Sequence, residues 1–559
     1  MEKIIIYQTL PRLFGNSNAH NYPGGTLAEN GSGKMSDFSD RALQSIRALG
    51  CNHIWYTGMI QHATKTDYSA YGIPKGNPYV IKGEAGSPYA ITDYYDVDPD
   101  LADHPEERMA EFDALVKRSH QHDLKVILDF VPNHVARQYH STVKPAGVKD
   151  FGEQDDTRVA FSPQNNFYYS VGEGFAPHFD LGSGAAQYRE FPAKATGNDC
   201  FHPYPGINDW YETVKLNYGV DYSNGSKHFD PIPDTWQKML DILLYWAAKN
   251  VDGFRCDMAH MVPIEFWEWV IPQVKYNYPD VIFIAEIYSP ELYREYIFRG
   301  HFDYLYDKVG LYDTLRAITR GEAPASAITA QWQSLEGIQQ HMVNFLENHD
   351  EQRIASDFFA GNAYNALPAL IVSAMMNTNP FMLYFGQELG ERGMDAEGFS
   401  GKDGRTTIFD YFSLQSMRDW NNNGKWDEEH LSETEKSIRR HYKQILTACN
   451  REEAIYEGAF FDLMYVNYNH EGFDPSKQYG FLRKYVNELL VVVVNFGDQP
   501  VNTSVYIPKH AFDYLNIPEG NFRMKELISG ESDVCRLSAD FPFTTRVEGK
   551  SGVVWKMEL

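Results

Sequence analysis

The chain has 559 residues and carries 50 Lys plus Arg against 76 Asp plus Glu, a formal charge of −26. No basic run relieves that acidity, which argues against nucleic acid and anionic membrane surfaces as partners and favours a neutral or cationic small molecule. With 43% hydrophobic and 23% charged residues the composition is globular, and the longest apolar runs, such as "LLVVVVNF" from Leu489, fall far short of a membrane span of ~20 residues.

The N-terminal "MEKIIIYQTLP" has a short apolar stretch stopped by Pro11, too brief for a secretory leader, so a cytoplasmic location is expected. Cys51, Cys200, Cys256, Cys449 and Cys535 are widely spaced and form no CxxC, which predicts reduced thiols and neither a disulfide framework nor a zinc site. Short β-branched and aromatic runs then recur, each followed by a stretch with helical spacing. The candidate strands are "IIIYQTL" (Ile4), "HIWYTGM" (His53), "KVILDFV" (Lys125), "VDGFRCD" (Val251), "VIFIAEI" (Val281), "FDYLYD" (Phe302), "MVNFLEN" (Met342) and "FMLYFGQ" (Phe381). Eight βα units predict an α/β fold, a closed (β/α)8 TIM barrel whose active site lies at the C-terminal ends of its strands.

Between the third and fourth strands the spacing is too long for one helix, and residues 135–214 are rich in Gly, Pro, Asn and Tyr. They read as a domain inserted in the third βα loop, with the barrel formed by 1–134 and 215–450. Beyond "SIRRHYKQILTACN" the pattern changes to short strands, "FDLMYVNYN", "YGFLRKYV", "LLVVVVNFG", "NTSVYIP" and "GVVWKMEL", which predicts a C-terminal antiparallel β-sandwich over 451–559.

Four strand ends carry dense polar patterns: "DFVPNH" (Asp129 to His134), "GFRCD" (Gly253 to Asp257), "IAEIY" (Ile284 to Tyr288) and "FLENHD" (Phe345 to Asp350). A barrel brings such ends to one mouth. Strand alternation sets Arg255 and Asp257 on the same face, where the guanidinium favours an ionised carboxylate and suits Asp257 to nucleophilic attack, while Cys256 points the other way into the core. Glu286 shares the inward parity of Ile282 and Ile284 and rises into a mouth that already holds carboxylates, which suits it to hold a proton and act as general acid. Glycosidic cleavage needs such a pair, and Asp350 beside His349 adds a third acid that can stabilise an oxocarbenium-like transition state. The competing reading of the three acids is a salt-bridge layer at a barrel mouth.

These motifs, in this order, resemble the α-amylase family of glycoside hydrolases over nearly the whole length. The resemblance implies Asp257 as nucleophile, Glu286 as acid/base and Asp350 as transition-state stabiliser. It also implies Arg255 beside the nucleophile, His134 and His349 as hydroxyl-binding histidines, Asp129 as an ordering aspartate, and Tyr89 in "GSPYAITDYYDVDP" as a ring that stacks on the sugar; the alternative for Tyr89 is loop packing. "VKLNYG" (Val214 to Gly219) is closer to the neopullulanase and cyclomaltodextrinase type, yet a first strand at Ile4 leaves no room for the extra N-terminal β domain of those relatives. After the nucleophile the family has Lys-His, whereas here Ala259 is followed by His260, leaving His260 as a candidate contact on the leaving-group side.

Asn133 matches a residue that ligates structural calcium in many relatives and only forms hydrogen bonds in others, so calcium stays open and no organic cofactor is implied. A calcium-loop beginning at Asp419, "DWNNNGKWD", has His430 at position twelve and reads as a solvated turn. Trp210 and Tyr211 are either an outer sugar platform or packing of the inserted segment. The expected activity is retaining hydrolysis of α-1,4-glucosidic bonds in maltooligosaccharides or related α-glucans. Transglycosylation with the same residues is the first alternative and non-catalytic carbohydrate binding the second; oligomeric state is left open.

Overall fold

The computed structural model describes residues 2–179, 188–395 and 401–559. Eight strands form at the expected runs: β1 (Ile5–Thr9), β2 (His53–Tyr56), β3 (Lys125–Phe130), β4 (Gly253–Cys256), β5 (Ile282–Ala285), β6 (Tyr304–Tyr306), β7 (Met342–Phe345) and β8 (Phe381–Tyr384). Each pairs in parallel with its neighbours and β8 closes onto β1, with Ile5 opposite Phe381. Every residue of β2, β4, β7 and β8 is buried, since helices cover the outside and side chains fill the inside; these strands therefore read as apolar runs and not as clean alternation.

Among the surrounding helices are α1 (Asp40–Leu49), α2 (Arg108–Gln121), α3 (Asp234–Ala247), α4 (Ile264–Asn277), α5 (Tyr293–Phe298), α6 (Asp313–Thr319), α7 (Ala327–Ser334), α8 (Leu367–Met375) and α9 (Glu433–Arg451). In α1 the Ser39 hydroxyl accepts from the Ala42 amide, Ala42, Leu43, Ile46 and Leu49 form the buried stripe, and Gly50 ends the helix at φ +113°. A Cβ on Gly50 would also lie 2.9 Å from Leu446 of α9, so both backbone conformation and close approach require glycine there. A reciprocal Ser432–Glu435 capping box starts α9, a device that contributes about 1 kcal/mol. Among the described residues no helix is long and apolar enough to cross a membrane.

After β3 the chain leaves the barrel through His134–Ala136 and returns through Thr213–Lys215; these two short strands pair antiparallel, His134 opposite Lys215. After β2 a second excursion forms the antiparallel pair Ile60–His62 and Ile91–Val97. Both project over the C-terminal ends of the strands and form one wall of the cleft described below.

The C-terminal region contains β9 (Ala459–Asp462), β10 (Gln478–Tyr485), β11 (Glu488–Asn495), β12 (Val501–Val505), β13 (Gly520–Glu526), β14 (Ser532–Leu537), β15 (Phe543–Val547) and β16 (Ser551–Glu558). Six form one antiparallel sheet in the order β9-β10-β11-β16-β13-β14, and β12 pairs with β15 in a two-stranded ribbon, tied to the sheet by Trp555 Nε1 donating to Thr545 (2.9 Å). At the seam with the barrel α8 is buried throughout, and Arg483 donates to the carbonyls of Met376, Ala454, Ile455 and Gly458.

One expected strand is only half right. "FDLMYVNYN" begins within β9, but the Asp462 carboxylate accepts from the Met464 backbone amide (2.6 Å) and the chain turns into α10 (Met464–Asn467), where the Asn467 side chain donates through Nδ2 to the Leu463 carbonyl. Strands β13, β14 and β15 and helix α11 (Lys509–Leu515) were not expected; β13 and β14 are largely exposed and alternate charged with apolar residues, which weakens the apolar signal.

Candidate active site

The pairing of β3 with β4 sets Asp129 opposite Arg255, and the ladder continues past both strand ends, the Asp257 amide donating to the Phe130 carbonyl (2.9 Å) and the Glu286 amide to the Cys256 carbonyl (3.1 Å). Three acids from three adjacent strands are thereby brought to one guanidinium. Arg255 Nη1 lies 2.8 Å from Asp257 Oδ1 and 3.4 Å from Asp129 Oδ1, and Nη2 lies 2.7 Å from Glu286 Oε2. Arg255 is fully buried, donates through Nε to the Tyr306 hydroxyl (3.2 Å), and is flanked by the rings of Trp55, Tyr89 and Tyr306 at 5.2, 5.4 and 5.6 Å. An arginine enclosed in this way is fixed in place, and so are the carboxyls that depend on it.

Glu286 is held from three sides. Its Oε2 accepts from the Met258 amide (2.9 Å) as well as facing Arg255, and its Oε1 accepts from the Tyr288 hydroxyl (2.6 Å). The Met258 contact requires the chain to turn sharply after Asp257, and Met258 adopts φ +44°, a left-handed conformation that a side-chain-bearing residue takes at a cost.

His349 and Asp350 follow β7. The Gln8 side-chain amide donates to His349 Nδ1 (2.8 Å), so the ring proton resides on Nε2, which faces the Tyr89 hydroxyl (2.6 Å) and Asp350 Oδ2 (3.2 Å). Tyr89 stacks on His349 with ring centroids 5.2 Å apart, and its hydroxyl donates to Asp129 Oδ1 (3.4 Å). Trp55 Nε1 donates to the other oxygen of Asp129 (3.0 Å). Asp350 stands at the rim with its side chain 44% exposed, its backbone carbonyl accepting from Arg405 Nε (2.6 Å). His134, across the cleft, packs against Trp210 at 5.2 Å.

Burial dominates the protonation of these groups. It raises the Asp129 carboxyl to about 6, with Arg255 acting against it. Burial likewise raises the Asp257 carboxyl; Arg255 opposes this, while Glu286 and Asp129 push it further up. Arg255 favours the ionised form of Asp257 as expected, but its one guanidinium is divided among three carboxyls and burial outweighs it. Burial lowers both imidazoles to about 3, helped by Arg255 at His349 and by Lys215 at His134, so both rings are neutral.

The resulting cleft, about 170 Å³, opens between the two excursions and the mouth. Tyr89, His134, Asp257, Glu286 and Asp350 line it, with Asp129, Arg255 and His349 directly behind. His260 stands apart, its ring 6.4 Å from that of Tyr288, its Nδ1 without a hydrogen-bond partner, and no part of the lining. Asn133 does not suit a metal. Its Oδ1 accepts from Lys215 Nζ (2.7 Å), which also pairs with Asp199 Oδ1 (2.6 Å), so an ammonium already occupies the position between the two oxygens. The Asn133 amide donates to the Gly197 carbonyl (2.8 Å) and to His134 Nδ1 (3.1 Å), which makes it a brace for that histidine. The turn from Asp419 is packed, with Trp420 and Trp426 against Phe14.

Sequence reasoning missed Gln8, Trp55 and Tyr306, although each ends or nearly ends a barrel strand, the position where polar or aromatic residues signal a site. Lys82 and Glu212, which pair at 3.0 Å in the cleft wall, lie in loops with no motif around them. Trp210 belongs to the cleft lining, while Tyr211 is buried in the inserted segment.

Alpha-amylase MalA of Haloarcula japonica is 24% identical over 488 residues, 86% of this chain and 55% of that protein, so the chain spans about half of that relative's length. A cyclomaltodextrinase of Thermoanaerobacter pseudethanolicus is 23% identical over 547 residues, 94% of this chain and 74% of that protein. The crystal structure of an α-amylase from H. orenii has the same fold, with a TM-score of 0.65 at 18% identity over 100% of both chains. Residues 8–190 and 231–454 match the family described as alpha amylase, catalytic domain, and the chain belongs to that family of glycoside hydrolases.

Proposed function

We propose that the protein hydrolyses α-1,4-glucosidic bonds in maltooligosaccharides or related α-glucans with retention of configuration. Asp257 attacks the anomeric carbon while the glycosidic C–O bond breaks and Glu286 gives its proton to the departing oxygen. Glu286 then takes a proton from water, whose oxygen attacks the same carbon and releases Asp257. Asp350 carries negative charge to the face of the ring where positive charge develops, and His134 and His349, both neutral, hydrogen-bond ring hydroxyls.

One observation carries this reading: the carboxyls of Asp257 and Glu286 contact adjacent nitrogens of a single guanidinium, at 2.8 and 2.7 Å. That arrangement favours the short separation of about 5–5.5 Å used for covalent catalysis over the roughly 6.5–9.5 Å that leaves room for an inverting water. Digestion of maltotriose followed by NMR tests it, with α-anomeric glucose and maltose expected first. A β-anomer would exclude retention, and longer oligosaccharides would replace hydrolysis with transfer. Asp257→Asn is expected to fold normally and to lower kcat by about 10⁴-fold or more; turnover near the native rate would overturn the assignment.

A further inference from the structure

The carboxyl of Glu286 is held unequally at its two oxygens. Oε2 lies 2.7 Å from Arg255 Nη2 and accepts from the Met258 amide at 2.9 Å, so a proton placed there would face a guanidinium and an N–H. The proton that Glu286 gives must therefore ride on Oε1. Among the described residues Oε1 has one hydrogen-bond partner, the Tyr288 hydroxyl at 2.6 Å. Half-buried Tyr288 stands two residues after Glu286, beyond the fully buried Ile287, and its ring meets that of His260 edge-on at 6.4 Å. Glu286 lines the cleft whereas Tyr288 does not, so the hydroxyl takes one lone pair of Oε1 from outside the cleft and leaves the other for a proton that faces the substrate.

Charged and titratable groups face this pair from every neighbouring strand. Arg255 and Asp257 follow or end β4, Asp129 lies in β3 and reaches the pair through the shared guanidinium, Tyr306 of β6 joins through Arg255 Nε, and His349 and Asp350 act from beyond β7. Burial raises the Tyr288 hydroxyl well above its ordinary value, the carboxylates of Glu286 and Asp350 add to this and Arg255 opposes it, so the hydroxyl keeps its proton and donates to an ionised Glu286. A hydroxyl that donates to a carboxylate favours the ionised form. Glu286 reaches that form when the Oε1–H bond breaks, the glycosidic oxygen takes the proton and the electron pair stays on Oε1.

We propose that Tyr288 is a positioning residue for the general acid: it aims the Glu286 proton at the glycosidic oxygen and stabilises the carboxylate that the transfer leaves behind. The assignment rests on the reading of Glu286 as acid/base of a retaining hydrolase. The test is Tyr288→Phe, which keeps the ring and removes the hydroxyl, assayed on maltotriose and on p-nitrophenyl α-maltoside, whose phenolate departs with little help from an acid. The basic limb of the kcat/KM profile on maltotriose reports loss of the acid's proton, and it is expected to move up by about one pH unit. At the optimum, kcat/KM on maltotriose should fall roughly tenfold, against less than about threefold for release of p-nitrophenol. A basic limb that stays in place overturns the proposal. So do equal losses on the two substrates, which would assign the hydroxyl to packing or to substrate binding. Failure of the cleft reading is distinct and shows without the substitution: the native chain would turn over neither substrate, or would release the sugar as its β-anomer.

Discussion

Replacing Lys215 with Met tests whether an ammonium, and not a metal ion, organises the wall of the cleft. The side chain is 2% exposed and its Nζ has two strong partners, Asp199 Oδ1 at 2.6 Å and Asn133 Oδ1 at 2.7 Å. Breaking a fully buried ion pair costs about 3–5 kcal/mol, but Asp199 is 41% exposed and water will take over its charge. The buried partner, Asn133, loses a charge-assisted hydrogen bond of about 1.5–3 kcal/mol. Together these give an expected destabilisation of about 2–3 kcal/mol. The loss should reach the cleft as well, because Asn133 braces His134 through Nδ1. The assay is the denaturant midpoint followed by tryptophan fluorescence, with and without EDTA, together with kcat and KM on maltotriose. Native protein should be indifferent to EDTA, and Lys215→Met should unfold earlier and show a higher KM. A native midpoint that falls on chelation, or a variant as stable as the parent, refutes the reasoning.

Tyr89→Phe keeps the ring over His349 and removes the hydroxyl that faces His349 Nε2 and Asp129 Oδ1; kcat/KM on maltotriose should fall roughly 10- to 100-fold with little change in stability, and an unaltered value would confine Tyr89 to packing. Stability against pH should show two opposed contributions. Burial holds His53, His62, His134 and His349 at about 3, so what they contribute is complete above about 6.5, where the unfolded chain is also neutral, and is lost as pH falls towards 3. Asp98, Asp100, Asp129 and Asp307, raised by burial to about 6, do the reverse: the folded chain binds their protons first, so stability increases as pH falls from about 6 to about 4. The denaturant midpoint should therefore change little between about pH 6 and 4 and drop steeply below, and a steep drop that begins at about pH 6 would show that these carboxyls are not buried as described.

The barrel was legible because its strands are buried on both faces and stand out as apolar runs between helical stretches. The polar residues at or just beyond their ends, Asp129, Asp257, Glu286 and Asp350, stood out for the same reason, since ionisable groups at the end of an apolar strand call for an explanation beyond packing. What sequence could not convey was how the groups share one another. Alternation gave Arg255 and Asp257 a common face but not that Glu286 and Asp129 reach the same guanidinium, which depends on the register of three strands. The Asn133 question likewise turned on Lys215, 82 residues away and adjacent only because His134–Ala136 pairs with Thr213–Lys215. In the C-terminal region, Asp462 diverted an expected strand into a helix through one side-chain hydrogen bond, a local choice that apolar patterning does not register.

The charge arithmetic at the mouth bears on how the proposed chemistry would work. Asp129, Asp257 and Glu286 all contact Arg255, so with every carboxyl ionised this buried cluster would carry two uncompensated negative charges. Burial resists that, which is why the carboxyls of Asp129 and Asp257 are raised. In the proposed reaction, proton transfer from Glu286 to the glycosidic oxygen returns negative charge to the cluster at the moment when the sugar becomes cationic. The cluster is thus electrostatically poor before the reaction and well matched to the transition state during it, a difference that speeds the chemical step where uniform binding would not. Asp129 then matters without touching substrate: Asp129→Asn removes one negative charge from the Arg255 cluster, and the acid limb of the kcat/KM profile should move to lower pH as Asp257 ionises more readily beside its arginine.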